Sequence, residues 1–143
     1  SPHAAEFGRT VLLRHELPDG SWHFDWLLEH TDHPDPLLAA FRVWVPVHST
    51  GAFEAQRMQD HRALYLEYEG PLSQGRGSVV RVQTGACKIL VDAPRAFIAE
   101  AAFGDGPLLR YEGEATGALG DGMAGDMVDM VESTWRFFSR GIP

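Results

Sequence analysis

Lysine is almost absent from this sequence: Lys88 stands alone beside eleven arginines. Against those 12 basic residues are 20 aspartates and glutamates, a formal net charge of −8. A protein that coats nucleic acid regardless of sequence needs a basic surface, because its affinity comes from neutralised phosphates. This chain is not such a coat, and any polyanion would have to be gripped locally. Cysteine is equally scarce, and the single Cys87 excludes an internal disulfide framework or a cysteine-rich zinc knuckle. Long hydrophobic runs are missing too. None approaches the ~20 apolar residues of a membrane-spanning helix, so no membrane partner is expected. No basic-then-apolar leader opens the sequence, and a cytoplasmic location is expected.

The 143 residues are 44% hydrophobic and 22% charged, which excludes a disordered or fibrous chain and suits one globular domain. Residues 1–9 read as a polar tail and 10–143 as a single domain. Thr10–His15 and Trp22–Leu28 are apolar runs separated by Pro18-Asp19-Gly20. Pro presets φ at the first turn position, Asp tolerates the second, and Gly takes the left-handed one, so these residues form a β-hairpin with a three-residue loop. Residues 30–36 form a loop rich in breakers, and Phe41–Val45 is a third strand. Ala52–Gln59 reads as a turn or two of helix, and Tyr65–Glu69 as short and extended. Gly70–Gly77 is a connection. Ser78–Gln83, Lys88–Val91, Phe97–Phe103 and Leu108–Glu114 read as strands. Gly117–Asp126 is a loop, and Met127–Phe138 is a helix or a hairpin, with Trp135–Phe138 favouring a terminal strand. Short strands and Gly/Pro turns predict a mainly β fold. The expected architecture is a small closed or partly open barrel of about six to eight mostly antiparallel strands, with one or two short helices.

The hairpin has a chemical consequence. With a three-residue loop Leu17 faces Ser21, and two steps back His15 faces His23, with Cβ atoms ~4.5–5.5 Å apart. Asp25 lies two residues past His23 and points to the same side. Two imidazoles and a carboxylate with open positions can hold Mn, Fe or Zn. A loop one residue shorter or longer would put His15 on the other face. The plainer alternative is a solvated polar face.

His61 precedes a strand-like run, where a histidine is usually a surface residue. His30 and His33 share His-x-x-His spacing, but in a proline-rich loop. Gly75-Arg76-Gly77 could bring N–H groups to a phosphate, although an ordinary tight turn explains it equally simply. Trp22, Trp26 and Trp44 read as core or face aromatics.

In order along the chain, these residues resemble the 3′-phosphoesterase domain of bacterial ligase D proteins. The features that carry the resemblance are Arg14-His15, the turn, and His23-Phe-Asp-Trp-Leu-Leu-Glu29. They continue with Arg42-Val-Trp-Val-Pro46, Asp60-His61, Tyr65, Glu69-Gly70, Gly75-Arg-Gly77 and the valine-rich strand from Ser78. The resemblance spans about Thr10 to Val91. It implies a metal site from His15, His23 and Asp25, with Mn²⁺ first and Zn²⁺ as the alternative. It also implies a catalytic His61, a phosphate-side Tyr65, and a DNA 3′ end as substrate, trimmed of phosphate or a ribonucleoside alongside a polymerase or ligase. A monomer is expected. Two arginines of the family are not kept: Leu27 stands two residues after Asp25, and the second falls near Phe53. Arg14, Arg57, Arg62 and Arg76 are the candidates to hold phosphate in their place, with Arg81 a further source of charge. A non-catalytic metal-binding or protein-interaction member of the same fold is the alternative reading.

Overall fold

A computed structural model of the chain describes residues 7–31, 37–49, 51–117 and 133–143. These residues form nine strands: β1 (Gly8–Glu16), β2 (Trp22–Glu29), β3 (Leu37–Val43), β4 (Gly51–Arg62), β5 (Gly70–Pro71), β6 (Ser78–Asp92), β7 (Ala96–Phe103), β8 (Leu109–Ala115) and β9 (Thr134–Gly141). They form one sheet in the order β1-β2-β3-β4-β9-β8-β7-β6-β5, and a further β1–β6 pairing closes a ring. Every pairing is antiparallel. β6 serves two sides of that ring. It pairs with β1 over Ser78–Cys87 and with β7 over Gly85–Asp92.

The fold is therefore the mainly β, antiparallel barrel the sequence predicts, with local corrections. Ala52–Gln59 is not helical. It lies in β4, between β3 and β9, and its Phe53 and Ala55 point into the core. Ala63–Leu66 form a single 3-10 turn, which takes the first two residues of the extended segment expected at Tyr65–Glu69. The two strands expected at Ser78–Gln83 and Lys88–Val91 are one. The helix-or-hairpin question lies largely outside the described residues, but Trp135–Phe138 is in the terminal strand β9.

Burial differs from one side of the ring to the other. In β7 and β8 buried and less buried residues alternate strictly, as in a strand with one wet face. In β2, His23 through Leu28 are all buried, and in β3 Leu38 through Phe41 are too. These strands are covered on both sides, which is why Trp26–Leu28 and Leu38–Phe41 run apolar without alternation, while His23 and Asp25 are buried polar residues on the outer face. On the barrel side, Trp26 packs against Phe41, Phe53, Tyr111 and Phe137, with ring centroids 4.8–6.2 Å away. Its Nε1–H donates to Thr10 Oγ1, whose hydroxyl donates to the Leu27 carbonyl, so no polar atom of the indole is stranded. Truncating so central an aromatic typically costs ~3–5 kcal/mol. The outer side carries a second cluster, Val11, Leu13, Leu27, Leu38, Ala40, Leu66 and Val79, with Met58, Tyr65, Tyr68 and Leu72 packed on it. The 3-10 turn at Ala63–Leu66 and the residues after it cover this face.

Candidate metal centre and cleft

The hairpin closes as its turn residues dictate. Leu17 N–H donates to Ser21 O at 2.8 Å, Gly20 N–H donates to Leu17 O, and Asp19 Oδ1 accepts from both Ser21 N–H and Ser21 Oγ. Gly20 takes φ +90°, a value L side chains avoid. The resulting register pairs His15 with His23, their rings 4.8 Å apart and nearly perpendicular. Asp25 follows on the same outer face. Its neighbours across the sheet are Leu13 on β1 and Arg42 on β3.

One ligand atom from each of His15, His23 and Asp25 lies within 4.8 Å of the others. His15 Nδ1 is 3.4 Å from Asp25 Oδ2, and His23 Nε2 is 3.1 Å from Oδ1. Two ligands ~2.1 Å from one ion at tetrahedral or octahedral angles sit about 3.0–3.4 Å apart. His23 and Asp25 are buried and His15 is half-buried. Burial pushes the Asp25 carboxyl up, but the two imidazoles beside it outweigh burial and hold it well below the usual carboxylate range. His15 is raised by Asp25, against burial, with help from the Arg76 carbonyl, while Arg42 opposes the rise.

Hydrogen bonding tests whether these residues suit a cation. His15 Nε2 lies 2.7 Å from the carbonyl oxygen of Arg76. A carbonyl only accepts, so Nε2 carries the proton and Nδ1 of the neutral ring turns a lone pair toward Asp25. His23 Nε2 is buried and has no hydrogen-bond partner among the described residues, despite its nearness to Asp25. Two ring nitrogens thus face a carboxylate without a well-formed hydrogen bond. A divalent cation among the three groups would satisfy all of them, and the residues fit one.

The centre opens into a cleft of about 800 Å³. His15, Asp25, Arg42 and Arg76 line it, as do His61, Arg62 and Tyr65, and Leu13, Met58, Leu72 and Val79 supply its apolar wall. A bulge delivers His61 to this face. Ala40 pairs with Met58 and Leu38 with His61, so β4 has one extra residue between the two pairs. Without it, Asp60 would take that place. His61 Nδ1 is 3.0 Å from the Gln59 carbonyl, which leaves Nε2 for a ligand, and its ring meets Tyr65 edge to face at 5.7 Å. Leu38 and Arg42 are four residues apart on β3, roughly 13 Å. His61 and the triad therefore belong to one cleft but not to one cluster.

The arginines divide. Arg62 and Arg76 line the cleft. Arg14 does not: it sits on the barrel side of β1, its guanidinium 4.3 Å from the centre of the Trp22 ring and 3.4 Å from Glu16. Arg57 is not in the cleft either. It pairs with Phe41 on the barrel side, lies over the Phe41 and Phe97 rings, and is held by both oxygens of Asp92. Arg81 is tied to the Leu66 carbonyl. Leu27 is fully buried in the outer apolar cluster, and Phe53 belongs to the barrel core. His30 pairs with Asp92 at 3.0 Å, and His33 lies outside the described residues.

The residue that sequence reasoning missed is Arg42. It lies directly across from Asp25, it lines the cleft, and its Nε is buried with no partner among the described residues. The available signal was the period-two spacing of Leu38, Ala40 and Arg42 on a strand whose outer face is otherwise apolar.

No family model and no curated protein matches the chain. Among the described residues, no helix is long and apolar enough to cross a membrane.

Proposed function

We propose that the cleft is a metal-dependent phosphoesterase site of the 3′-end-processing kind that the sequence resembles. The observation that carries this reading is the convergence of His15, His23 and Asp25, with ring nitrogens that lack good partners, at a cleft lined by His15, Asp25, Arg42, Arg62, Arg76 and His61. A divalent cation bound there, Mn²⁺ first and Zn²⁺ second, would supply Lewis-acid polarisation of a phosphoryl oxygen. The chain's own residues do the rest. Arg42, backed by the buried wall of β3, offers unspent N–H donors to the remaining phosphoryl oxygens, a task for which a guanidinium fork is well shaped. It takes over the charge that Leu27 and Phe53 do not provide. His61, with Nδ1 held by a carbonyl, exchanges a proton through Nε2. Tyr65 donates to a phosphate oxygen beside it. The nucleic-acid 3′ end, and a polymerase or ligase acting on the same end, are the partners this reading implies.

The test is phosphate release from a 3′-phosphorylated primer–template with added Mn²⁺. Turnover should fall by ~10²–10³ in Arg42→Ala, the usual cost of one transition-state donor. Turnover no higher than that of Asp25→Asn would rule the activity out. A second reading is favoured by the fate of Leu27 and Arg57, one buried in the core and the other locked to Asp92. In it, the chain is a non-catalytic member that binds metal only. Metal binding without any affinity for a 3′-phosphorylated end at low salt would support it.

A further inference from the structure

We propose that the turn at residues 72–77, through the main-chain carbonyl of Arg76, fixes the tautomer and ring orientation of His15 and so makes it a metal ligand. The proposal rests on the reading of His15, His23 and Asp25 as a metal centre. His15 and Arg76 are 61 residues apart in sequence, yet His15 Nε2 meets the Arg76 oxygen at 2.7 Å. The carbonyl is held from several sides. Leu72 N–H donates to Gly77 O at 2.7 Å and closes the turn. Gln74 and Gly75 both take left-handed φ values, 60° and 67°. Gly77 has φ +93°, and a Cβ built on it would lie 1.9 Å from the Glu16 carbonyl oxygen. Only glycine lets the turn press this closely on β1, one residue beyond His15. The Arg76 side chain turns back on the same turn, Nε to Ser73 O at 3.0 Å and Nη2 to Ser73 Oγ at 3.1 Å, and takes no part in the contact with His15.

The consequence is chemical. With the Arg76 carbonyl present, Nε2 keeps the proton and Nδ1 offers its lone pair toward Asp25. Without it, the ring is free to protonate Nδ1 instead and form a self-satisfied hydrogen bond with Asp25 Oδ2. That pair would have to be broken before an ion could enter. The turn therefore prevents the two ligands from satisfying each other, as outer partners of metal-bound histidines generally do. Arg76 is a positioning residue here by its main chain, whatever its guanidinium does in the cleft.

The decisive readout is the ring-nitrogen NMR spectrum of His15 in metal-free wild type at alkaline pH. The Nε2–H tautomer is expected, and a predominantly Nδ1–H ring overturns the proposal. One variant extends the test, with Mn²⁺ and Zn²⁺ titrated separately by calorimetry. Gly77→Ala, checked for folding by circular dichroism, should lose ~10–100-fold in metal affinity, the usual cost of an outer partner, and its His15 should shift toward Nδ1–H. A folded Gly77→Ala with wild-type affinity and tautomer overturns the proposal. Should Gly77→Ala not fold, the wild-type tautomer still decides. A wild type with the Nε2–H ring that binds neither ion contradicts the metal reading, not the role of the turn.

Discussion

Among the described residues, two clusters pair histidine with aspartate, and they end differently. On the barrel side, Asp92 receives both terminal nitrogens of Arg57 at 3.1 and 3.2 Å, and His30 at 3.0 Å. The Arg57 guanidinium also lies over two aromatic rings. Its charge is balanced and each of its terminal nitrogens has a carboxylate oxygen. On the outer side, Asp25 has two imidazoles within 3.4 Å. One of them turns a lone pair toward it and the other is unpartnered, with the cross-strand Arg42 short of a partner at Nε. Both clusters contain His and Asp, so residue type does not tell them apart. What distinguishes a site from a brace is whether its polar groups are already satisfied.

The largest expected effect breaks this comparison directly. Asp25→Asn should abolish metal binding in calorimetry, a loss beyond the ~10–100-fold that outer partners cost, whereas Asp92→Asn should leave it intact. Asp92→Asn should instead lower stability by about 1–2 kcal/mol, because Arg57 loses a charge-assisted pair near the surface. Equal metal affinity in the two variants would erase the distinction.

Leu27 sharpens it next. Placing an arginine there with Leu27→Arg should destabilise the chain by about 3 kcal/mol in urea unfolding, since it forces a charge into a fully buried apolar cluster. A stable, more active Leu27→Arg would mean that the cleft extends where the core is described.

The smallest effect is a trend with pH. His15 is raised above its ordinary value near 6.5. Its contribution to the metal-free fold is therefore full below that pH and lost as pH climbs through the raised value. Asp25 is depressed, so its contribution is lost only in strong acid, as pH falls through the lowered value. Metal-free protein should thus melt slightly lower as pH rises past 6.5. With Mn²⁺ the slope should reverse, because the ion needs the deprotonated imidazole. At a hundred times its dissociation constant the ion adds about 2.7 kcal/mol. Parallel melting curves with and without metal would contradict the site.

How much of this was legible in the sequence follows from how local each signal is. Pro18-Asp19-Gly20 fixes a register through its own backbone, so the pairing of His15 with His23 was readable from that one short stretch. Ala52–Gln59 misled because Ala, Glu and Gln favour helix in isolation. Pairing on both sides, with β3 and β9, overrides that preference. Gly85 lies in the gap between the two strands expected at Ser78–Gln83 and Lys88–Val91. It is where β6 changes partner, and a Cβ there would lie 2.0 Å from the Ala102 carbonyl oxygen of β7. Arg42 was missed and Arg57 overvalued for one reason. Which face an arginine takes depends on pairings with distant strands and, at His61, on a one-residue bulge that no local pattern announces.

The most direct measurement is anomalous diffraction from crystals soaked in Mn²⁺. The account expects one strong peak within bonding distance of His15 Nδ1, His23 Nε2 and Asp25, and none at His30 and Asp92. A peak at the Asp92 cluster, or no peak between the two hairpin histidines, would contradict it.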